Sequence, residues 1–114
     1  MRSGGFQVGG ILAFAILGLA HEALAGPAVA TRWQQTDMTQ DECLKRAEDA
    51  ISRTGFENLE RTGQSRYGSV ADYTAAVRCI TGNGIVFFIV SGPSLAQANG
   101  MAGILFQNFD AGKK

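Results

Sequence analysis

The sequence predicts an α+β domain in which two helices cover one face of a three-stranded antiparallel sheet. Three observations support this fold: a β-hairpin pattern from Tyr73 to Val90, a capped amphipathic helix upstream of it, and one cysteine in each, Cys43 and Cys79. The predicted order is α-β-β-β-α within residues 38–110, because consecutive strands usually pair with their neighbours. Residues 26–37 are predicted to be an extended lead-in, and residues 111–114 a polar tail.

The first helix has clear start and stop signals. Thr39 and Glu42 have the spacing of a capping box, in which each side chain accepts a hydrogen bond from the other residue's backbone amide. Gly55 is predicted to end the helix in a left-handed conformation, with Phe56 folded back on Ile51. One apolar stripe recurs at helical spacing between these ends and comprises Cys43, Leu44, Ala47, Ala50 and Ile51.

The strands follow this helix. Residues 73–80 and 85–90 are β-prone runs joined by a Gly-Asn-Gly turn, whose residues tolerate positive φ angles. Residues 57–62 predict a short polar first strand suited to a sheet edge, and residues 63–68 a connecting loop. Pro93 favours the start of a second helix, with an apolar side formed by Leu95, Ala98, Met101, Ala102, Leu105, Phe106 and Phe109.

The N-terminal segment has the layout of a secretory signal peptide over residues 1–25. Arg2 precedes an apolar run that stops at His21, and Ala23-Leu24-Ala25 forms a small-x-small cleavage site. The run is shorter than the roughly 20 residues that a membrane span requires. An uncleaved membrane anchor, or cleavage after Ala30 instead of Ala25, are the alternatives. We therefore expect a periplasmic or secreted protein that is not inserted in the membrane after cleavage.

The two cysteines allow a single pairing, and an even number of cysteines in an exported chain favours a disulfide between Cys43 and Cys79. A bridge of this loop length stabilises the fold by about 3 to 4 kcal/mol. A zinc site is disfavoured because the cysteines lack CxxC spacing and His21 is the only histidine. The sequence therefore predicts no metal and no cofactor.

Charge and histidine content exclude further classes of function. The chain carries 10 Lys and Arg against 10 Asp and Glu, so a basic nucleic-acid surface is not predicted. Loss of His21 with the leader removes serine and cysteine nucleophiles that depend on a histidine base. The enzymatic alternative is a small hydrolase or lyase that uses carboxylate and arginine chemistry near Glu57, Asp72, Tyr73 and Arg78. Solvated surface charges explain these groups equally well, and we favour a protein that is not an enzyme.

An apolar sheet face is the main indication of function. With both helices on one face, the other must expose Ile80 and one of two sets from the third strand: Ile85, Phe87 and Ile89, or Val86, Phe88 and Val90. Such a patch usually marks an interaction site, for self-association as a homodimer or for an envelope protein partner. The predicted binding residues are Trp33, Arg78, Ile80, Phe87 and Phe88. Alternatively, residues 26–37 with Trp33, or the loop with Tyr67, cover this face.

The combination of a leader, a cysteine-bearing helix, the strand Tyr-Thr-Ala-Ala-Val-Arg-Cys, the strand Gly-Ile-Val-Phe-Phe-Ile-Val-Ser-Gly-Pro and a terminal helix resembles small exported bacterial proteins of uncharacterised function. The resemblance covers most of the chain after the leader. It implies export and a small α/β domain, and it transfers no site residues. The predicted function is therefore an exported interaction module, and an envelope component without a small ligand fits the same pattern.

Overall fold

The computed structural model describes residues 26–112, which form five strands and two helices joined by short connections. The elements are β1 (Ala28–Gln35), α1 (Gln40–Thr54), β2 (Glu57–Arg61), β3 (Ser65–Val70), β4 (Tyr73–Ile80), β5 (Ile85–Gly92) and α2 (Leu95–Ala111), with a 3₁₀ turn, Thr81–Asn83, between β4 and β5. The strands form one antiparallel sheet in the order β1-β5-β4-β3-β2. The predicted leader lies outside the described residues.

The α+β class is confirmed, but the predicted three-stranded sheet is wrong. The segment expected to be a lead-in contributes β1, which pairs with β5 over its whole length. The segment expected to be a loop contains most of β3. β1 lacks a clear apolar period because Arg32 and Gln34 occupy positions on the same side as buried Ala30. The corrected order is β-α-β-β-β-β-α.

Gly68 explains why β3 has the composition of a loop. A Cβ atom at this position would lie 2.6 Å from Cγ2 of Ile51 and 2.9 Å from Cβ of Phe56. Only glycine lets the end of α1 approach the strand this closely. The residue that suggests a turn in the sequence therefore serves helix-to-sheet packing in the structure.

One hydrophobic core lies between the helices and one face of the sheet. Side chains alternate along β4 and β5, so that every second residue is buried beneath the helices. The strand residues of this core are Ala30, Tyr73, Ala75, Val77, Cys79, Val86, Phe88 and Val90. The ring of Phe88 meets those of Phe106 and Phe109 edge to face, at centroid distances of 5.3 and 5.1 Å. These aromatic contacts join α2 to the centre of the sheet.

The predicted ends of α1 are confirmed. The Glu42 amide donates to Oγ1 of Thr39 at 3.2 Å, and the Thr39 amide donates to Oε1 of Glu42 at 3.0 Å. Gly55 has a φ of 98°, and the Phe56 amide donates to the Ile51 carbonyl at 3.1 Å. The apolar stripe predicted for α1 is buried along its length.

The predicted disulfide is also confirmed, since Cys43 of α1 and Cys79 of β4 are bonded and fully buried. α2 differs from prediction at its first turn, where Leu95 is 56% exposed. Ser94 caps this helix by accepting a hydrogen bond from the Gln97 amide at 3.2 Å. Neither helix of residues 26–112 is long and apolar enough to cross a membrane.

Candidate binding surface

The sheet face opposite the helices is not covered by any segment within residues 26–112. We call it the open face. Its larger side chains come from four adjacent strands and are Val29, Thr31, Trp33 and Gln35 of β1, Ile85, Phe87 and Ile89 of β5, Thr74, Ala76, Arg78 and Ile80 of β4, and Tyr67 of β3. Ser65 and Ser69 of β3 and Ser91 of β5 lie in the same rows, and Glu60 of the edge strand β2 lies opposite Tyr67. The covering segments considered from sequence do not cross it, because β1 lies beside β5 and Tyr67 belongs to β3.

The register sets the open-face side chains in rows across the strands. Trp33 lies opposite Phe87, and Phe87 opposite Arg78. The neighbouring row contains Thr31, Ile89, Ala76 and Tyr67. Opposite residues of antiparallel strands share one face, with their Cβ atoms about 5 Å apart. The rows therefore form one continuous surface with aromatic side chains on either side of its aliphatic centre.

Solvent reaches much of this surface. Trp33 is 59% exposed and Val29 is 56% exposed, while Phe87 and Ile89 are half-buried although no helix covers them. Single exposed apolar side chains are common on proteins, but a contiguous group at the centre of a sheet is unusual. The open face is therefore the strongest candidate for a functional surface in the described part of the chain.

Arg78 places a positive charge within this surface. Its guanidinium donates from Nη2 to Oε1 of Gln64 at 2.6 Å and from Nη1 to Oγ of Ser65 at 3.2 Å. Ser65 is almost fully buried, so one side of the guanidinium is fixed by neutral acceptors. None of the ion pairs within residues 26–112 involves Arg78. The side chain is therefore oriented and available to a carboxylate from outside the domain.

The structure brings together four of the five predicted binding residues. Trp33, Arg78, Ile80 and Phe87 all belong to the open face. Phe88 is a correction, because it points to the opposite side and is fully buried in the core. The sequence does not decide which of two sets of β5 residues faces outward, because both faces of that strand are apolar. Only the pairing of Val77, on the helix-covered face, with Phe88 decides between them.

Val29 and Tyr67 are two of the open-face residues that are not among the predicted binding residues. Val29 lies in the segment interpreted as a lead-in, and Tyr67 in the segment interpreted as a loop. For Val29, a signal was present in the alternation of Val29, Thr31 and Trp33, which are all β-formers. For Tyr67 the neighbouring Gly68 concealed the strand.

The groups of the enzymatic alternative are not assembled into a site. Tyr73 points to the helix side, where its hydroxyl donates to Oε1 of Gln97 at 2.7 Å and accepts from the Ser94 amide at 3.2 Å. Arg78 lies on the other face of the same strand. Glu57 is exposed at the start of the edge strand β2. Within residues 26–112 there is also no group of three or more His, Cys, Asp or Glu side chains that could hold a metal ion.

An open cleft of about 700 Å³ extends the open face at one end of the sheet. It is lined by Trp33, Gln35, Thr36, Asp37, Asn83, Gly84 and Ile85. The Thr36 amide donates to the Gly84 carbonyl at 2.9 Å and ties the cleft's two segments together. The cleft therefore offers a recess with an aromatic wall next to the apolar rows.

A cluster of ion pairs around Glu48 lies on the helix side of the sheet and not on the open face, and it stabilises the fold. Glu48 of α1 accepts from Nε of Arg66 at 2.7 Å and from Nε of Arg61 at 2.9 Å. These hydrogen bonds, Arg61's first and Arg66's second, hold the pKa of Glu48 below its ordinary value, and the same contact raises the pKa of Arg61. The cluster joins α1 to β2 and β3 on the helix side.

The fold and the open face together identify this protein as a small, disulfide-bonded α+β domain with an uncovered sheet face that carries aromatic side chains. No protein-family model matches the sequence, and no curated protein is significantly similar to it. Any assignment of function therefore depends on the surface itself.

Proposed function

We propose that this protein is an exported interaction module that contacts an envelope or extracellular protein through its open face. The observation that carries the proposal is the row of Trp33, Phe87 and Arg78 across three adjacent strands. It aligns an exposed indole, a half-buried ring and a guanidinium that has neutral hydrogen-bond acceptors but no ion pair within residues 26–112. Among the described residues, no group of three or more possible metal ligands competes with it, and Tyr73 and Arg78 of the enzymatic alternative lie on opposite faces of β4.

The composition of the open face fits a protein partner. Trp, Tyr and Arg are the side chains that dominate binding energy at protein interfaces, where they are surrounded by apolar contacts that exclude water. Here Trp33, Tyr67 and Arg78 surround Ala76 and Ile89. The partner would present a complementary apolar surface and a carboxylate facing Arg78.

Export is the second part of the proposal. The Cys43–Cys79 disulfide is consistent with an oxidising compartment, because such bonds persist in periplasmic and secreted proteins and are rare in the cytosol. The leader predicted over residues 1–25 would supply the route. Periplasm and extracellular medium remain the two candidate locations.

Site-specific photo-crosslinking tests the open face directly. A photo-reactive side chain replaces Ala76, at the centre of the open face, or Ile104, which is 50% exposed on α2. Cells express the full-length sequence, and crosslinking is performed in the intact envelope. We expect a discrete crosslinked protein from position 76 and none from position 104.

The Phe87→Asp variant tests whether the crosslinked product depends on the apolar rows, and Ile104→Asp is its matched control. Because a carboxylate in the middle of the apolar rows must be desolvated on binding, we expect at least about a tenfold loss of the crosslinked product. Ile104→Asp introduces the same charge on the helix side and is expected to leave the product unchanged. Equal labelling from positions 76 and 104, or a product that is insensitive to Phe87→Asp, would contradict the proposal.

A further inference from the structure

The two edges of the sheet are protected to very different degrees. All residues of β2 are exposed, and three of its five side chains, Glu57, Glu60 and Arg61, are charged. Its pairing with β3 shifts register between Glu57 and Glu60, and Asn58 has a φ of 57°. Charges and irregularities of this kind prevent an edge strand from pairing with another chain.

β1 lacks these protections. Its eight residues pair with β5 without a register shift, and Arg32 is its single charged residue. The charged group of Arg32 is directed over the helix side, where Nη1 donates to Oδ1 of Asn99 at 3.2 Å. Within residues 26–112 no segment pairs with the outer edge of β1. A long, regular and nearly uncharged edge is a template for an added strand.

The backbone groups of this edge can be assigned. The Thr36 amide donates to the Gly84 carbonyl at 2.9 Å, so the backbone of Thr36 points toward β5. Backbone direction alternates along an antiparallel strand. The amides and carbonyls of Val29, Thr31 and Trp33 therefore point away from β5, and the Thr31 carbonyl accepts a long bond of 3.4 Å from Nη1 of Arg32.

We infer that β1 pairs antiparallel with β1 of a second copy of this chain, with Thr31 opposite Thr31 on a two-fold axis. This register places Val29 opposite Trp33 of the second copy, twice. Those two side chains are the most exposed large apolar residues of the strand, at 56% and 59%. An aromatic side chain opposite a β-branched one is a favourable cross-strand pair. About six backbone hydrogen bonds would form along the outward-pointing groups.

One neighbouring register is disfavoured by charge. A shift that moves the axis from Thr31 to Arg32 would place Arg32 opposite Arg32 of the second copy, and like charges directly opposite each other are destabilising. A shift in the other direction, to Ala30, would lose the pairing of Val29 with Trp33, because Trp33 would then lie opposite Pro27. With Thr31 on the axis, Arg32 lies opposite Ala30 instead. A self-complementary strand of this kind satisfies the requirement of a two-fold interface, in which the same surface is used by both subunits.

The second helix fits the same dimer. α2 lies over β1, since a Cβ atom at Gly103 would be 3.4 Å from Nη2 of Arg32. Neighbouring strands lie about 4.8 Å apart. With each copy of α2 placed slightly inward of its own β1, the axes of the two helices would be about 10 Å apart, which is the spacing of packed helices.

Sedimentation over a concentration series, from about 1 to about 500 µM, tests the dimer in the protein purified after expression of the full-length sequence. We expect a concentration-dependent doubling of mass. Thr31→Pro removes an outward amide without affecting a hydrogen bond to β5, and proline is tolerated at a sheet edge. It should weaken the dimer at least about tenfold, whereas Thr31→Val, which keeps the amide, should not.

Two variants with opposite charges at position 31 test the register without introducing proline. Thr31→Lys and Thr31→Glu each place like charges opposite each other on the axis, so each variant alone should be monomeric. Their mixture should restore a heterodimer. A wild type that stays monomeric throughout, unchanged dimerisation of Thr31→Pro, or no rescue on mixing would overturn the inference. In the case of a monomeric wild type, the β1 edge would be free to pair with a strand from another protein.

The experiments distinguish failure of the proposed dimer from failure of the proposed partner binding. The dimer uses the outer edge of β1, whereas the photo-crosslinking position, Ala76, lies two strands away on β4. Because β1 edges would join in the plane of the sheet, the two open faces would remain uncovered and would form one continuous surface. A monomeric protein could still crosslink from position 76, and a dimer could form without any other partner.

Discussion

Glu48 shows how a single charged residue can fix the relation between a helix and a sheet. It is the common acceptor for Arg61 and Arg66, on two adjacent strands, and its side chain is 28% exposed. The Arg66 side chain is only 13% exposed, so this half of the cluster is shielded from solvent. Partly shielded ion pairs of good geometry stabilise more than exposed ones.

Glu48→Gln should therefore destabilise the domain by roughly 1 kcal/mol at neutral pH. Because the folded-state pKa of Glu48 is lowered, its contribution is complete above the carboxyl pKa of the unfolded chain. It is lost as the pH falls through the lower folded-state pKa. Urea unfolding at several pH values should show wild type and variant converging at acidic pH.

Asp49→Asn is the control for Glu48→Gln. Asp49 pairs with Arg53 one helical turn away, and the two side chains are 48% and 55% exposed. An exposed pair of this kind contributes little, so the variant should differ from wild type by less than about 0.5 kcal/mol. Equal effects of the two substitutions, or a Glu48→Gln difference that persists unchanged at acidic pH, would contradict the role assigned to Glu48.

At the scale of an element, β1 changes both the fold and the surface. It converts residues 26–37 from an expected lead-in into an integral edge strand, and it supplies Val29 and Trp33 to the open face. Its Ala30 is 4% exposed and lies opposite Val90 in the core. A chain without the start of β1 would expose that part of the core.

This position of β1 leads to a prediction about leader cleavage. Cleavage after Ala25 leaves the strand complete, whereas cleavage after Ala30 would remove Ala28 to Ala30. If the chain is exported as proposed, we therefore expect its mature form to begin at Gly26, as measured by its intact mass. Ala23→Leu should block processing because the cleavage site requires a small residue there. Ala28→Leu, the equivalent change at the alternative site, should not, and a mature chain beginning at Thr31 would contradict the prediction.

For the whole molecule, the disulfide is the main covalent constraint. Its two cysteines are 36 residues apart, in α1 and β4, and the loop that it closes therefore contains β2 and β3. Loops of this length give a bridge about 3 to 4 kcal/mol of stabilisation through the unfolded chain. A domain of this size buries a limited core and depends on such support.

Replacement of both Cys43 and Cys79 by Ala should lower the free energy of unfolding in urea by about 3 kcal/mol or more. Both sulfurs are fully buried, so part of the loss comes from the space left in the core. Reduction of the wild type separates the two contributions, and the double variant should be insensitive to the reductant. A loss below about 1 kcal/mol would show that the bridge does not hold the fold.

The sequence correctly predicts the features that depend on residues close together in the chain. The capping box of Thr39 and Glu42, the left-handed Gly55 and the run from Tyr73 to Ile80 all appear as predicted. β3 was missed because Gly68 was interpreted as a turn residue, while its actual role is set by Ile51, a neighbour in space only. β1 is not predicted because Arg32 and Gln34 follow Ala30 on its helix side, while Val29 and Trp33 lie on its exposed side, so apolar residues do not mark the covered face.

The sequence by itself determined the α+β class, the first helix with its caps, the central hairpin and the pairing of Cys43 with Cys79, because local geometry and a single possible bridge leave little choice. Only the tertiary structure decided that the sheet has five strands, that Phe87 and not Phe88 faces outward, and that β1 is an unprotected edge. The physical reason is that strand pairing and the choice of face depend on residues far apart in the chain.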